Sequence, residues 1–276
     1  SCNYGYHVGN HSVGCHGHPS PLDFVESIQY SCNAYYCHVF RNILDYASDA
    51  GIETNYETWR KMALSFGYGK KLDIDFPFEL KGLIPKAEYF KNIYKQAWNS
   101  LNIVSMAIGQ GEILVTPLQM ANFSAVIANR GYYMIPHLVK EIQGEADIDP
   151  KYKVKRFSEV EEKHFEPVVE GMYQVIHGEK GSTARNARVD SLEICGKTGT
   201  AENPHGEDHS IFIAFAPKDD PKIAISVYVE NGGYGATYAA PIASFMIEKY
   251  LTGDVSRTWY EEYILKANLL DGAKKD

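Results

Sequence analysis

The residues best suited to chemistry lie in the segment 195–202, which reads CGKTGTAE. Lys197 brings an amine, and Thr198 and Thr200 bring hydroxyls. Gly199 leaves room for a ligand to lie against the backbone. Apolar runs that follow the segment predict further strands, so we expect an antiparallel sheet with this segment at its edge. An amine and two hydroxyls on a strand edge suit acyl transfer to a substrate that carries a terminal carboxylate.

A second pair of polar residues, Ser31 and Asn33, lies far upstream with one residue between them. The pattern S-x-N together with K-T-G is typical of penicillin-binding proteins and serine β-lactamases. Further segments resemble class B penicillin-binding proteins, and within that class the elongation-type D,D-transpeptidases of the penicillin-binding protein 2 group. They are IGQG at 108–111, VTPLQMA at 115–121, GKTGTAE at 196–202 and HSIFIAFAP at 209–217. The resemblance is collinear and extends from about Ser1 to Tyr250.

The resemblance implies a peptidoglycan D,D-transpeptidase of the elongation, cell-shape type. Such an enzyme cross-links the cell wall by acyl transfer from stem peptides that end in D-Ala-D-Ala, and it binds β-lactams. The implied fold is α+β, with an antiparallel sheet flanked by helices as in penicillin-binding proteins and serine β-lactamases. The implied partners include the membrane-embedded elongation machinery, contacted through regions outside this chain, at the periplasmic face of the bacterial inner membrane. No organic cofactor is expected.

The resemblance also implies a role for each matching residue. Lys197 would bind the substrate carboxylate and support proton transfer, while Thr198 and Thr200 would donate hydrogen bonds to that carboxylate. The backbone N–H of Thr200 would be one oxyanion donor. Ser31 would relay a proton, and Asn33 would orient a second lysine and contact the substrate amide. The simpler alternatives are a solvated surface charge for Lys197 and a helix N-cap for Ser31.

One departure from the family pattern concerns the nucleophile, which in that family is the serine of an S-x-x-K motif. No serine among the 276 residues has a lysine three positions later. We therefore expect the C-terminal part of a transpeptidase domain, inactive alone because it lacks the nucleophile. The alternative is a non-catalytic penicillin-binding-like module that binds peptides or acts as a sensor, and an upstream S-x-x-K in the gene would favour the enzyme. A serine β-lactamase fits less well, because that family lacks the pattern at 108–121.

Three cysteines and one histidine in the first 32 residues form a candidate metal site. They are Cys2, Cys15, His18 and Cys32. Three thiolates and an imidazole are a common ligand set for tetrahedral structural zinc, and some penicillin-binding protein 2 relatives look similar, with a metal beside S-x-N held by aspartate, histidine and cysteine. Because the outer residues of S-x-N must face the active site, Cys32 should point away, so zinc would tie this turn to the preceding loop. His16 is the alternative to His18, and a disulfide between the first two cysteines, with the third buried, is the alternative to zinc.

Composition limits the class of protein. Hydrophobic residues make up 45% and charged residues 22% of the chain, which is typical of a globular protein. The net charge of -8 argues against nucleic acid and anionic membranes as partners. No apolar run reaches the roughly 18 residues that a transmembrane helix requires. The family resemblance implies a membrane anchor, which we expect to lie outside this chain.

Hydrophobic periodicity predicts the secondary structure. The predicted helices cover 22–30, 34–47, 55–66, 116–129, 158–176 and 241–250, and the predicted strands cover 132–142, 192–195, 209–216 and 222–230. Thr54 is the expected N-cap of the third helix, and residues 1–20 are expected to form an irregular loop. We expect four parts within the partial domain 1–276. They are the metal-binding loop with S-x-N (1–33), a mainly helical part (34–190), the K-T-G sheet with the last helix (191–250) and a tail (251–276).

Overall fold

The computed structural model describes residues 2–95, 98–144 and 147–269. This part of the chain combines helices with antiparallel sheets and divides into two compact units. Unit 1 draws on residues 1–22, 32–126 and 130–163, and unit 2 draws on residues 23–31, 127–129 and 164–276. Within the described ranges, the helices are all too short or too polar to cross a bilayer.

The regular elements occur along the chain as groups of helices and groups of short strands. The helices are α1 (Phe24–Gln29), α2 (Asn33–Tyr46), α3 (Ile52–Ser65), α4 (Ala87–Tyr94), α5 (Pro117–Ala128), α6 (Glu166–His177), α7 (Ala239–Thr252) and α8 (Thr258–Leu265). The strands are β1 (Gly5–Val8), β2 (His11–Gly14), β3 (Tyr132–Tyr133), β4 (Arg156–Phe157), β5 (Cys195–Ala201), β6 (His209–Ala216) and β7 (Ile223–Val229). Short 3₁₀ helices cover Ser100–Ile108, Pro150–Lys153, Glu162–His164 and Arg185–Ala187.

The core of unit 1 is a cluster of aromatic rings between α2, α3, α4 and the first 3₁₀ helix. Tyr56 is fully buried, and its ring centroid lies 5.4 Å from that of Phe90 and 5.8 Å from that of Trp98. Both pairs are edge-to-face, the arrangement that aromatic quadrupoles favour. The Tyr56 hydroxyl donates to the carbonyl of Pro85, so its burial leaves no polar group unsatisfied.

Unit 2 is built on one antiparallel sheet in the order β5-β6-β7. Helix α7 packs against β6 and β7, and α6 packs against α1 and β5. In β6, Phe212 and Ala214 are fully buried, whereas Ile211 and Ile213 are half-buried, which is the alternation of a strand with two unequal faces. Among the described residues β5 pairs with β6 alone, so the K-T-G segment lies at a sheet edge, as the sequence predicts.

The expected irregular loop at the start of the chain is wrong. Strands β1 and β2 pair antiparallel with Gly5 opposite Gly14 and Val8 opposite His11. The two residues between the strands begin with Gly9, whose φ of 56° matches the position where tight hairpin turns place glycine. This glycine-first turn is the signal that the sequence interpretation missed.

Several predicted helices are confirmed to within a few residues, but the predicted bounds of two helices and one strand are wrong. Helix α3 begins at Ile52, and its N-cap is Gly51, whose φ is 87°. Thr54 lies inside the helix and is not the N-cap that the sequence predicted. The predicted helix over 158–176 begins only at Glu166, because Pro167 fits the first turn of a helix and not its interior. The predicted strand over 132–142 shortens to the two residues of β3, since Asp75 receives the backbone N–H groups that follow Pro136.

Candidate active site and metal centre

The K-T-G residues lie inside β5, which corrects the expected strand that ends at Cys195. The register places Lys197 opposite Ile213 and Thr198 opposite Phe212. Gly196 is required for this pairing, because a side chain there would overlap the Phe212 ring. The strand therefore carries its amine and hydroxyls on a rigid ladder of hydrogen bonds.

The amine of Lys197 contacts the hydroxyl of Ser31, although 166 positions separate the two residues in the chain. The Nζ–Oγ distance is 2.6 Å, and Nζ also lies 3.1 Å from the carbonyl oxygen of Thr198. Burial lowers the pKa of Lys197 to about 8. A lysine with such a pKa can both donate a proton to an adjacent hydroxyl and recover it near neutral pH. Both residues belong to unit 2.

The backbone conformation at Ser31 explains why its side chain contacts Lys197 and does not cap α2. Its φ of 52° is left-handed, and its N–H donates to the carbonyl of Ile28 at the end of α1. The N-cap of α2 is Cys32, whose sulfur accepts from the N–H of Tyr35 at 3.4 Å. Ser31 is therefore not the helix cap that the simpler alternative assigned to it.

Thr183 is a neighbour of the site that the sequence interpretation did not single out. Its hydroxyl lies 3.4 Å from that of Thr198 and 3.4 Å from the carbonyl of Gln29. Gly181 allows this loop to approach, because its φ is 69° and a side chain there would overlap the Tyr30 ring. The signal in the sequence was the element GSTA at 181–184, which resembles a family motif.

The remaining predicted residues have separate partners. The hydroxyl of Thr200 accepts from the N–H of Gly235 at 3.4 Å, and Gly235 lies so close to Gly199 that a side chain would overlap the strand backbone. Asn33 belongs to unit 1, where its side chain donates to the carbonyl of Gly14 at 2.9 Å. Asn33 thereby holds the first turn of α2 against β2.

The four predicted metal ligands come together within unit 1. One ligand atom each from Cys2, Cys15, His18 and Cys32 lies within 4.8 Å of all the others. The Cys15 sulfur is 3.4 Å from Nε2 of His18. All these cysteines are free thiols, so the structure contains no disulfide between the first two. The cluster includes His18, which the sequence favoured over His16.

Neighbouring groups set the orientation and the pKa of these side chains. The Nδ1 atom of His18 lies 2.6 Å from the carbonyl oxygen of Pro19, so Nδ1–H donates there and Nε2 keeps its lone pair facing the sulfurs. The first backbone N–H groups of α2 point at Cys15 and Cys32. Burial, and then the other two thiols, raise the pKa of Cys32 to about 12, and burial also raises the pKa of Cys15.

Comparison with known proteins assigns a family to the chain. Residues 1–248 match the family described as the penicillin binding protein transpeptidase domain. The chain belongs to this family. The resemblance deduced from the two motifs is therefore confirmed for nearly the whole chain.

Two curated relatives are named Peptidoglycan D,D-transpeptidase MrdA. The relative from Haemophilus influenzae is 32% identical over 248 residues, which cover 83% of this chain and 36% of the relative. The relative from Acinetobacter baumannii is 31% identical over 245 residues, which cover 82% of this chain and 34% of the relative. The chain thus spans about a third of the length of these relatives.

Solved structures confirm the α+β fold of penicillin-binding transpeptidases. Pseudomonas aeruginosa PBP2, solved in complex with WCK 5153, has a TM-score of 0.75 and 30% identity, covering 94% of this chain and 57% of that one. PBP2 from Helicobacter pylori, solved in complex with MreC, has a TM-score of 0.69 and 25% identity, covering 94% of this chain and 44% of that one.

Proposed function

We propose that this chain forms the carboxylate-binding and proton-relay side of a peptidoglycan D,D-transpeptidase of the elongation type. The observation that carries the proposal is the 2.6 Å contact between the Lys197 amine and the Ser31 hydroxyl, on a strand that also presents threonines. A merely solvated lysine would extend away from the sheet. Names of relatives that match this chain, such as Peptidoglycan D,D-transpeptidase MrdA, support the same reaction.

In the proposed reaction the substrate is a stem peptide that ends in D-Ala-D-Ala. The terminal carboxylate lies against Thr198 and Thr200 in the positive potential of Lys197. A serine oxygen attacks the carbonyl between the two alanines, and the bond to the terminal alanine breaks. Lys197 and Ser31 pass the proton lost by the attacking serine to that leaving amine. A second stem-peptide amine then takes the acyl group and releases the serine.

The serine nucleophile of the family motif is not among these 276 residues, because none of their serines is followed by lysine at the third position. This observation also supports a second candidate, a non-catalytic module that binds peptides or acts as a sensor. The two candidates differ in covalent chemistry, because only the enzyme forms an acyl-serine.

We propose the partners and location that accompany this reaction in relatives. Stem peptides and β-lactams share a carboxylate beside a cleavable amide, which matches the Lys197 and Thr198 arrangement. The complex of Helicobacter pylori PBP2 with MreC supports contacts with elongation machinery. Such a protein works at the periplasmic face of the inner membrane.

We also propose that the sulfur cluster holds one zinc ion. Zinc–sulfur bonds of about 2.3 Å place tetrahedral ligands about 3.8 Å apart, and the observed separations, from 3.4 Å to at most 4.8 Å, need only small adjustment. Without a cation the raised thiol pKa values favour neutral sulfurs packed together, whereas a bound metal ion deprotonates thiols outright. When bound, zinc supplies a rigid cross-link that fixes Cys32, and with it the backbone that carries Ser31.

Incubation with a fluorescent penicillin tests the reaction. We expect the protein expressed from the complete gene to form a stoichiometric acyl adduct, and the 276-residue chain alone to form none. Intact-mass spectrometry and peptide mapping locate any adduct. If the complete gene product remains unmodified, the sensor candidate is favoured, and an adduct on any serine of the 276-residue chain would contradict the assigned roles.

Elemental analysis tests the metal. Protein purified without added metal should contain about one zinc per chain. The absence of zinc together with the loss of two free thiols would favour the disulfide alternative instead.

A further inference from the structure

Unit 1 contains a cavity that shares no residue with S-x-N, K-T-G or the sulfur cluster. Its volume is about 440 Å³, within the range of small-molecule sites. The residues that give it its chemistry are Lys61, Lys70, Tyr133, Lys155, Arg156 and Glu159. They come from the end of α3, the loop after it, and β3 with β4.

The charge of this cavity is opposite to that of the chain. Four of its lining side chains are cationic and one is acidic, whereas the whole chain carries a net charge of -8. The acidic residue, Glu159, pairs with Lys61 at 3.1 Å. Because Glu159 pairs with Lys61, no acidic lining side chain remains for the other three cations.

The three remaining cations line the cavity, and none of them forms an ion pair with another described residue. Among the described residues, no carboxylate oxygen lies within 4.0 Å of the charged nitrogens of Lys70, Lys155 or Arg156. Lys155 instead places its amine 4.0 Å above the ring centroid of Tyr132. Burial and the nearby charge of Arg156 lower the pKa of Lys70, although Asp73 opposes this shift. A bound anion would offset the repulsion between Lys70 and Arg156.

We propose that this cavity binds a phosphate-bearing ligand, with Lys70 and Arg156 as the principal contacts and Lys155 as a third. A single carboxylate would leave two of these cations uncompensated, whereas a phosphate offers up to two negative charges and three acceptor oxygens. The planar guanidinium of Arg156 suits two of those oxygens at once. Exposed apolar side chains at the rim, Val154 and Phe157, favour a ligand with an apolar portion beside the phosphate.

Isothermal titration with inorganic phosphate and pyrophosphate, and co-sedimentation with lipid vesicles, test the proposal on the intact chain. We expect saturable binding that weakens with added salt. Binding to phosphate or pyrophosphate identifies a soluble phosphoester as the source. Binding only to vesicles that contain phosphatidylglycerol, and not to pure phosphatidylcholine, identifies an anionic lipid headgroup.

Matched variants distinguish binding in this cavity from nonspecific electrostatic attraction to the protein surface. Lys70→Gln and Arg156→Gln should each weaken binding about tenfold or more. The control Lys86→Gln combined with Lys140→Gln removes two exposed positive charges of the same unit and should leave affinity unchanged. Far-ultraviolet circular dichroism and melting curves check that each variant folds. No saturable binding to any probe, or equal losses in the control and the cavity variants, would overturn the proposal.

Discussion

Ser31 and Cys32 are adjacent in the chain, yet their side chains enter two sites that are built in different ways. The Ser31 site stands on β5, where strand pairing sets the position of every side chain and each polar group has a hydrogen-bond partner. The Cys32 site gathers residues from loops beside a hairpin and from the start of α2. Its thiols repel one another once ionised, and burial disfavours their charge.

The difference shows which site can form by protein contacts alone. The amine and hydroxyl of the Lys197 site stabilise each other by hydrogen bonding, so the geometry persists without a ligand. The sulfur cluster has weaker mutual contacts, such as the 3.4 Å contact between the Cys15 sulfur and Nε2 of His18, and a divalent cation would stabilise its ionised thiols. Four predictions test this contrast, beginning with the largest expected effect.

Replacing Lys197 should have the largest consequence. In the protein expressed from the complete gene, Lys197→Ala should lower the rate of penicillin acylation by about 100-fold or more, because it removes the proton relay and the carboxylate charge. Lys197→Arg keeps the charge but not the compact ammonium, so it should also be severely impaired. Lys222→Ala, which removes an exposed lysine of the same unit, is the control. An unchanged acylation rate in Lys197→Ala would disprove the assigned site.

Breaking the sulfur cluster should primarily affect stability. Cys32→Ser should lose the zinc and lower the free energy of unfolding by more than about 3 kcal/mol. Zinc content by mass spectrometry and chemical denaturation measure the two effects. The control Cys37→Ser alters a buried thiol outside the cluster and should keep its zinc. Retention of zinc in Cys32→Ser would show that this thiol is not a ligand.

The lowered pKa of Lys197 predicts a specific dependence of stability on pH. Between pH about 8 and 10.5 the unfolded chain holds more protons on this residue than the folded protein does. The cost of burying its charge is therefore fully present below pH 8 and disappears as the pH rises. Relative to wild type, Lys197→Met should be more stable at pH 7 by on the order of 1–2 kcal/mol, after allowance for the lost hydrogen bond.

Urea denaturation of both proteins from pH 7 to 10 measures this difference, and other titrating groups cancel between them. The advantage of Lys197→Met should shrink as the pH rises. A difference that does not change with pH would contradict the buried, partly deprotonated amine.

The smallest expected effect concerns Thr183, which touches Thr198 through its hydroxyl. Thr183→Val keeps the shape but removes the hydroxyl contacts to Thr198 and to the carbonyl of Gln29, so penicillin acylation should slow by about 3- to 10-fold. Thr58→Val, which changes an exposed threonine on α3, serves as the control and should have no effect. Equal rates in both variants would mean that Thr183 plays no part in positioning Thr198.

Local pattern predicted several elements because their cause is local. The alternation of apolar residues placed β6 correctly, and Pro117 at the first turn marked the start of α5. The hairpin β1–β2 was missed because its strands carry few apolar residues, so a glycine-first turn was the main signal. Helix α6 starts later than its periodicity indicated because Pro167, which fits only the first turn of a helix, lies inside the predicted range; this local signal was missed.

The sequence by itself determined the chemical inventory: the family, the K-T-G and S-x-N motifs, and the four candidate zinc ligands. Only the tertiary structure decided which groups meet. It brought Lys197 to Ser31 across 166 positions, placed Thr183 beside Thr198, and gathered a cationic cavity from three separate segments. The physical reason is that residue type and short-range periodicity act within a few positions, whereas these contacts depend on strand register, helix packing and loops that close over long distances.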